Sequence, residues 1–159
     1  MDACSFTGHR VVKNEHLSYV KEKLSRGIEY AYNQGCRDFF AGGAIGFDTL
    51  AARAVISARE TYSDIRLVLL LPCKDQDARW NEKQKREYKE ILRLADEVIY
   101  IQKEYTSDCM YKRNFALASR AKIVIAYLER EGSGAGQTVR IAKNLGKTVY
   151  NICPQKKQI

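Results

Sequence analysis

Short apolar runs and amphipathic stretches alternate along this chain from one end to the other. Apolar residues at steps of three and four within the amphipathic stretches indicate helices. The first such stripe consists of Leu17, Val20, Leu24, Ile28 and Ala31. Strict alternation of strand and helix implies parallel strands joined by right-handed crossovers. We therefore predict an α/β fold, a single three-layer domain over residues 1–159, with a mainly parallel sheet and helices on both faces. The predicted strands are Ala3–Phe6, Asp38–Ala41, Ile65–Leu71, Glu97–Ile101, Lys122–Tyr127 and Thr148–Ile152.

The run Ile65–Leu71 is apolar almost throughout. Such a run favours a strand that is covered by helices on both faces. We expect it to occupy a central position in the sheet.

Four polar or glycine-rich loops follow predicted strands: Thr7–Arg10, Gly42–Asp48, Pro72–Trp80 and Gly132–Thr138. The carboxyl ends of parallel strands lie at one edge of a sheet, and α/β folds bind their ligands there. We therefore expect these loops to converge on one ligand site.

The loop Gly42–Asp48 joins a strand to a helix. Its glycines allow the backbone to approach a ligand closely, because no Cβ is in the way. The first N–H groups of the helix have no partner within the helix and attract phosphate. The spacing differs from the G-x-G-x-x-G pattern of dinucleotide-binding proteins. A tight turn without a ligand is the alternative interpretation.

In their order and spacing, the motifs resemble the YpsA-type branch of the SLOG superfamily, a Rossmann-like group that includes DprA and the LOG-type phosphoribohydrolases. The resemblance covers nearly the whole chain. It depends on Thr7–Gly8–His9–Arg10, Gly42–Gly43–Ala44–Ile45–Gly46–Phe47–Asp48, Arg79–Trp80, Arg113–Asn114 and Gly132–Ser133–Gly134–Ala135–Gly136–Gln137–Thr138.

This resemblance implies a Rossmann-like fold, a ligand similar to NAD or ADP-ribose, and a sensor or regulatory role in a bacterial cell. No cofactor is certain. Relatives tend to carry threonine where this chain has Ala135, so a phosphate-binding hydroxyl is missing there. Ser133 and Thr138 are candidates to replace it.

Several residues near the first two loops have both a functional and a structural interpretation. The three glycines of Gly42–Gly46 either contact phosphate through backbone N–H groups or serve the turn alone. Asp48 caps the helix start or binds a ribose hydroxyl. Arg10 binds phosphate bidentately or forms a surface salt bridge.

The remaining candidates are also ambiguous. His9 orients its loop or acts as a general acid or base. Trp80 stacks on a base or anchors a loop, and Arg113–Asn114 reaches the ligand or packs a helix. The full predicted ligand-binding set has no metal ligand and no assigned catalytic residue; it is Thr7, Gly8, His9, Arg10, Gly42, Gly43, Ala44, Gly46, Asp48, Trp80, Arg113, Asn114, Ser133, Gly134, Gly136 and Thr138.

Three functions are compatible with this site. The first is nucleotide binding by a sensor or regulatory protein. The second is N-glycosidic hydrolysis of a nucleoside monophosphate, which needs a carboxylate near the ribose. The helix Gln137–Ala142 carries no acid, which leaves Asp48 for that role. The third is single-stranded DNA binding, as in DprA.

The charge of +8, from 27 basic and 19 acidic residues, favours an anionic ligand. Because the basic residues are interleaved with acids, we do not expect nucleic acid to be a partner. The five cysteines are widely spread, which argues against a zinc site or a disulfide framework. A reducing cytoplasm is the expected compartment. The start of the sequence does not resemble a signal peptide, and no apolar run is long enough to span a membrane.

Tyrosines on the first helix suggest self-association. Tyr30 and Tyr32 lie off the apolar stripe of that helix, and Tyr19 precedes them. Tyrosine is favoured at interfaces because it combines apolar area with a polar tip. The SLOG resemblance also implies pairing, so we predict a homodimer. Rings lying flat on their own surface are the alternative.

Overall fold

Six parallel strands form one sheet in the computed structural model, which describes residues 2–155. The strands are β1 (Asp2–Gly8), β2 (Cys36–Ala41), β3 (Arg66–Leu71), β4 (Glu97–Tyr100), β5 (Ile123–Tyr127) and β6 (Thr148–Asn151). Within the same range the helices are α1 (Leu17–Asn33), α2 (Phe47–Ala58), α3 (Glu82–Leu94), α4 (Cys109–Arg120) and α5 (Gly134–Asn144), with a short 3-10 helix at Asn14–His16. The predicted α/β class is therefore confirmed. The domain bounds stay a prediction, since residues 1 and 156–159 lie outside the described range.

The sheet has the strand order β4-β3-β2-β1-β5-β6. The chain adds β2, β3 and β4 outward on one side of β1 and then returns to place β5 on its other side. The strand order therefore reverses at β1. In such sheets the loops at the reversal enclose a crevice beyond the carboxyl ends of the strands.

Helices cover both faces of the sheet. The apolar stripes of α1, α2 and α3 pack against one face, which presents Phe6, Phe39 and Leu69. On the other face, Leu117 of α4 packs against β2 and β3, and α4 meets α5. Each fully buried side chain of this size contributes about 1.5–3 kcal/mol through removal of apolar area from water. The two cores fix the positions of the loops at the carboxyl edge.

The strand β3 is buried on both faces, as predicted, but it is not central. It lies second from the edge, between β2 and the short β4. Its Leu69 belongs to the core under α1–α3, and its Leu70 belongs to the core under α4. Burial on both faces follows from the helices above and below, which extend past the centre of this sheet.

The tyrosines of α1 have different surroundings. Tyr32 is half-buried, stacks on Tyr62 and donates a hydrogen bond to Asp64, while Arg37 lies over its ring. Tyr30 stays 42% exposed and makes a hydroxyl–hydroxyl contact of 2.8 Å with Tyr150, which is 41% exposed. Only part of the predicted tyrosine surface is thus open to solvent.

All five cysteines are free and buried. Among residues 2–155, no helix combines the length and the apolar character needed to cross a bilayer.

Candidate functional site

A cavity of about 350 Å³ lies at the carboxyl edge, where the strand order reverses. We call it the polar cavity. The loops after β1, β2 and β5 and the first turns of α4 and α5 enclose it. It brings together Thr7, Gly8, His9, Arg10, Ala44, Asp48, Arg113, Asn114, Ser133 and Gly134 from the predicted set. Predicted residues outside its lining are Gly42, Gly43, Gly46, Trp80, Gly136 and Thr138.

The loop after β1 positions His9 and Arg10. The Nε2 atom of His9 accepts hydrogen bonds from the backbone N–H groups of Glu129 (2.8 Å) and Arg130 (3.2 Å). Burial and the charge of Arg130 lower the pKa of His9, which keeps the accepting nitrogen unprotonated. His9 therefore holds the loop after β5 in place. Arg10 is exposed, lines the cavity and forms no salt bridge with another residue of the 2–155 range.

The glycines of the first glycine loop, Gly42–Asp48, are closely packed by their own chain. Gly43 and Gly46 have φ of +71° and +79°. A Cβ on Gly46 would lie 2.1 Å from the carbonyl oxygen of Arg10, and one on Gly43 would lie 2.4 Å from Leu71. These glycines are required by the turn itself.

Asp48 and Arg113 approach each other at the floor of the polar cavity. Asp48 is 6% exposed, and its carboxylate accepts a hydrogen bond from the N–H of Ala44 at 3.2 Å. Burial raises the pKa of Asp48 to about 6, although Arg113 and Arg10 oppose the shift. Asp48 lies in the first turn of α2, and no side-chain hydrogen bond caps that helix. The carboxylate binds the N–H of Ala44 in its own loop and does not act as the predicted helix cap.

Arg113 is a buried cation with neutral partners. It is 7% exposed, and its guanidinium donates to the carbonyl of Gly42 (2.6 Å) and to Oδ1 of Asn114 (3.0 Å). Within residues 2–155 it forms no salt bridge. Asn114 in turn donates to Gln137 and Gly134, which ties α4 to the start of α5.

The second glycine loop, Gly132–Thr138, is more open. The hydroxyl of Ser133 accepts the N–H of Gly136 at 3.1 Å and caps α5, while that of Thr138 donates back to the carbonyl of Gly134. Both candidate replacement hydroxyls therefore have partners inside the helix. The N–H groups of Gly134 and Ala135 have no hydrogen-bond acceptor among the described residues and lie at the cavity wall.

A second cavity of about 520 Å³ adjoins the polar one between α2 and α3. We call it the aromatic cavity, since Trp80 and Tyr88 line it with their rings in edge contact. Arg10, Ala44 and Asp48 line both cavities and form their shared wall. Trp80, Gly43 and Gly46 thus belong to the aromatic side.

Sequence reasoning missed several lining residues. Arg130, Met110 and Leu117 line the polar cavity, and Tyr88 lines the aromatic one. Arg130 could have been predicted from the sequence, because it lies between the end of a strand and a glycine-rich loop. A residue in that position lies at the same edge of the sheet as the predicted site. The others are apolar-stripe residues of α3 and α4, which the sequence marks only as core.

Comparison with known sequences identifies the family of this chain. A family model, YpsA, described as the YspA SLOG family, matches residues 7–153. The chain is 27% identical over 158 residues to the uncharacterized SPbeta prophage-derived protein YoqJ of Bacillus subtilis, across 90% of this chain and 92% of YoqJ. The UPF0398 protein YpsA of the same organism is 26% identical over 121 residues, across 74% of this chain and 67% of YpsA.

Two solved structures of DNA processing protein A share the fold. That of Helicobacter pylori, described for its single-stranded DNA binding mode, superposes with a TM-score of 0.68 and 18% identity. It matches 98% of this chain but only 66% of its own. The Streptococcus pneumoniae protein gives a TM-score of 0.67 at 20% identity, with 94% of this chain and 49% of its own.

One of these neighbours is described as binding single-stranded DNA. Our expectation that nucleic acid is not a partner is therefore not supported. The two neighbours confirm the fold alone, whereas the family model that matches residues 7–153 confirms the predicted SLOG membership. The chain belongs to the YpsA family of SLOG proteins.

Proposed function

We propose that this protein binds a nucleotide of the NAD or ADP-ribose type and acts as a sensor or regulatory protein. The observation that supports this most is the meeting of two unlike cavities at Arg10, Ala44 and Asp48. One is polar and cationic, and the other is larger and aromatic. A ligand that spans both needs an anionic part joined to a flat apolar part, which describes a nucleotide.

The charge of Arg113 favours an anion in the polar cavity. The carboxyl group of Asp48 lies nearby, but Arg113 forms no salt bridge among residues 2–155, and a buried cation that has lost its hydration without one is costly. Arg10 and Arg130 add two more guanidinium groups to the wall. A phosphate would accept charge-assisted hydrogen bonds from them, each contributing about 1.5–3 kcal/mol.

The start of α5 supplies a second set of donors. The N–H groups of Gly134 and Ala135 are unpaired among residues 2–155, and the helix dipole adds positive potential at that end. These backbone donors would bind phosphate without a side-chain hydroxyl at Ala135, where relatives tend to carry threonine.

The aromatic cavity suits the base. Trp80 and Tyr88 offer apolar ring surface beside Val12 and Leu17. Asp48, at the shared wall, lies where the ribose of a bridging nucleotide would be, and its carboxylate can accept from a sugar hydroxyl. Together the cavities fall within the usual size of ligand sites.

Calorimetric titration tests the proposal. ADP-ribose, NAD and AMP are titrated into the protein, with adenosine and pyrophosphate as the two isolated halves. We expect ADP-ribose to bind more tightly than either half. Ala44→Glu places bulk and negative charge at the shared wall and abolishes binding, whereas Ala44→Ser retains it. Folded wild-type protein that binds none of the nucleotides at millimolar concentration would contradict the proposal.

A second candidate function depends on Asp48. A carboxyl group with a pKa near 6 is suited to acid–base chemistry at neutral pH. Glycosidases commonly use two carboxyl groups, and Asp48 is the one carboxylate that lines the polar cavity among the described residues. Binding is therefore favoured over hydrolysis. Release of free base from AMP that disappears in Asp48→Asn would reverse this order.

Single-stranded DNA remains a further candidate ligand for the same arginines. The DprA neighbours share the fold, and one is described as binding single-stranded DNA. Binding dominated by phosphate contacts weakens steeply as salt concentration rises. Fluorescence anisotropy with a labelled oligonucleotide at two salt concentrations measures this, and affinity retained at high salt would favour a dedicated DNA site.

We also propose a homodimer that uses the exposed Tyr30–Tyr150 pair. Tyr19, 43% exposed, extends this surface. Light scattering on a size-exclusion column tests it. A mass near the 18.2 kDa of one chain at high protein concentration would rule the dimer out.

A further inference from the structure

A cluster of three metal-ligating side chains lies outside the two cavities. His16 ends the 3-10 helix, Glu129 follows β5, and Cys153 follows β6. One ligand atom from each lies within 4.8 Å of the others. Among residues 2–155 this is the only group of three such side chains so arranged. We propose that His16, Glu129 and Cys153 bind a zinc ion, with water in the fourth position.

The donor set selects this class of metal. One nitrogen, one carboxylate oxygen and one sulfur match the ligands of zinc, and a thiolate disfavours magnesium or calcium. Zinc bonds of about 2.0–2.3 Å place tetrahedral ligand atoms roughly 3.3–3.8 Å apart. The three groups therefore need to close by about 1 Å. Glu129 is exposed and has room to rotate toward the other two.

The surroundings hold the ligands in position. The hydroxyl of Tyr127 lies 2.6 Å from Nδ1 of His16 and fixes the ring, as outer partners of metal-binding histidines do. The backbone N–H of Cys153 donates to Asn151 at 3.0 Å, so its side chain stays directed inward.

A cation already occupies part of the cluster. The ammonium of Lys13 lies 2.8 Å from Glu129, and its side chain is 47% exposed. Zinc would displace it into water at small cost, because such exposed pairs contribute little. The proton balance is simple: the thiol of Cys153 releases its proton to solvent as the zinc–sulfur bond forms.

The position gives the metal a structural consequence. The backbone N–H of Glu129 donates to His9, and Arg130 lines the polar cavity. A zinc ion on Glu129 would therefore fix the loop that carries one wall of that cavity.

Titration of the reduced 159-residue chain with Co²⁺, as a spectroscopic substitute for zinc, tests the proposal. We expect a thiolate-to-cobalt charge-transfer band that saturates at one equivalent and is bleached by zinc. Cys153→Ala removes the band, and Cys36→Ala, the matched control at another buried cysteine, keeps it. Glu129→Gln lowers affinity by at least about tenfold, since even outer partners contribute 10–100-fold.

Lys13→Met provides an independent check, because it removes the competing cation and should tighten binding. Circular dichroism establishes that each variant is folded, and the partly exposed Glu129→Gln remains decisive if Cys153→Ala does not fold. No saturable band in the wild type, or a band that survives Cys153→Ala or Glu129→Gln unchanged, would overturn the proposal.

Discussion

The two glycine loops look alike in sequence, but their glycines have different roles in the structure. In the first loop, Gly43 and Gly46 have positive φ and leave no room for a Cβ. In the second loop, a Cβ on Gly132 would meet nothing within 4 Å, and one on Gly134 would lie 3.8 Å from Asn114. The first loop needs its glycines to fold, and the second has glycines that its own packing does not require. A glycine of the second kind is the better indicator of a ligand.

Gly136 marks the limit of this contrast. A Cβ there would lie 2.0 Å from the carbonyl oxygen of Glu131, so this glycine of the second loop is also structural. The open part of the loop is therefore Gly132–Gly134, next to the N–H groups at the start of α5 that have no acceptor among residues 2–155.

The largest expected effect on stability comes from replacing one glycine of each kind with alanine. Gly46→Ala should lower the free energy of unfolding by about 4 kcal/mol, because it adds backbone strain to a collision with Arg10. Gly132→Ala, the matched control, should change it by less than about 0.5 kcal/mol. Urea unfolding followed by circular dichroism measures both. Equal effects of the two substitutions would remove the distinction between the loops.

The buried carboxyl of the first loop predicts a pH effect. Because the pKa of Asp48 is raised from 3.8 to about 6, the folded state binds the proton more tightly than the unfolded state. Stability is therefore lost as pH rises from about 4 to about 6, by roughly 2–3 kcal/mol relative to Asp48→Asn.

Urea unfolding of both proteins at several pH values isolates this term. The lowered pKa of His9 has the opposite effect, because it makes the protein less stable as pH falls. His9 is present in both proteins, so its contribution cancels in the difference. A difference between the two proteins that stays constant between pH 4 and pH 6 would contradict the burial of an ionisable Asp48.

A smaller effect is expected for the cation at the shared wall. Arg10→Gln should weaken ADP-ribose binding about tenfold, since it removes a charge-assisted hydrogen bond to phosphate. Arg26→Gln, on the solvent side of α1, retains the affinity and controls for net charge. Calorimetry measures both variants, and matching affinities would place the anion elsewhere.

The smallest effect is expected at the open glycine of the second loop. Gly134→Ala should leave stability unchanged or raise it by up to about 0.5 kcal/mol, because alanine favours the helix. The added methyl narrows the approach to the first N–H groups of α5, so nucleotide affinity should fall a few-fold. Affinity that is unaffected while stability falls would assign this glycine to the fold.

The sequence predicts the fold well because the relevant information is local. The 3.6-residue stripes and apolar runs that define α1 or β3 are visible within a dozen residues. The convergence of Thr7–Arg10, Gly42–Asp48 and Gly132–Thr138 on one edge then follows from parallel topology alone.

The parts that escape prediction depend on contacts between distant residues. The approach of Arg113 to Gly42, and the gathering of His16, Glu129 and Cys153, result from packing that no local pattern records. The same holds for Trp80, which lies in the adjoining cavity because the loop before α3 turns toward α2.

The central claim is that one nucleotide occupies both cavities, with its phosphate bound at the open part of the second glycine loop. Titration of ¹⁵N-labelled protein with ADP-ribose, followed by amide and indole NMR shifts, tests it most directly. We predict that the largest shifts occur at Gly134, Ala135, Arg10, Ala44 and the Trp80 indole, and that they saturate together. Shifts confined to the cavity between α1 and α2, around Ser25 and Ser57, or no saturable shift at millimolar ligand, would contradict the account.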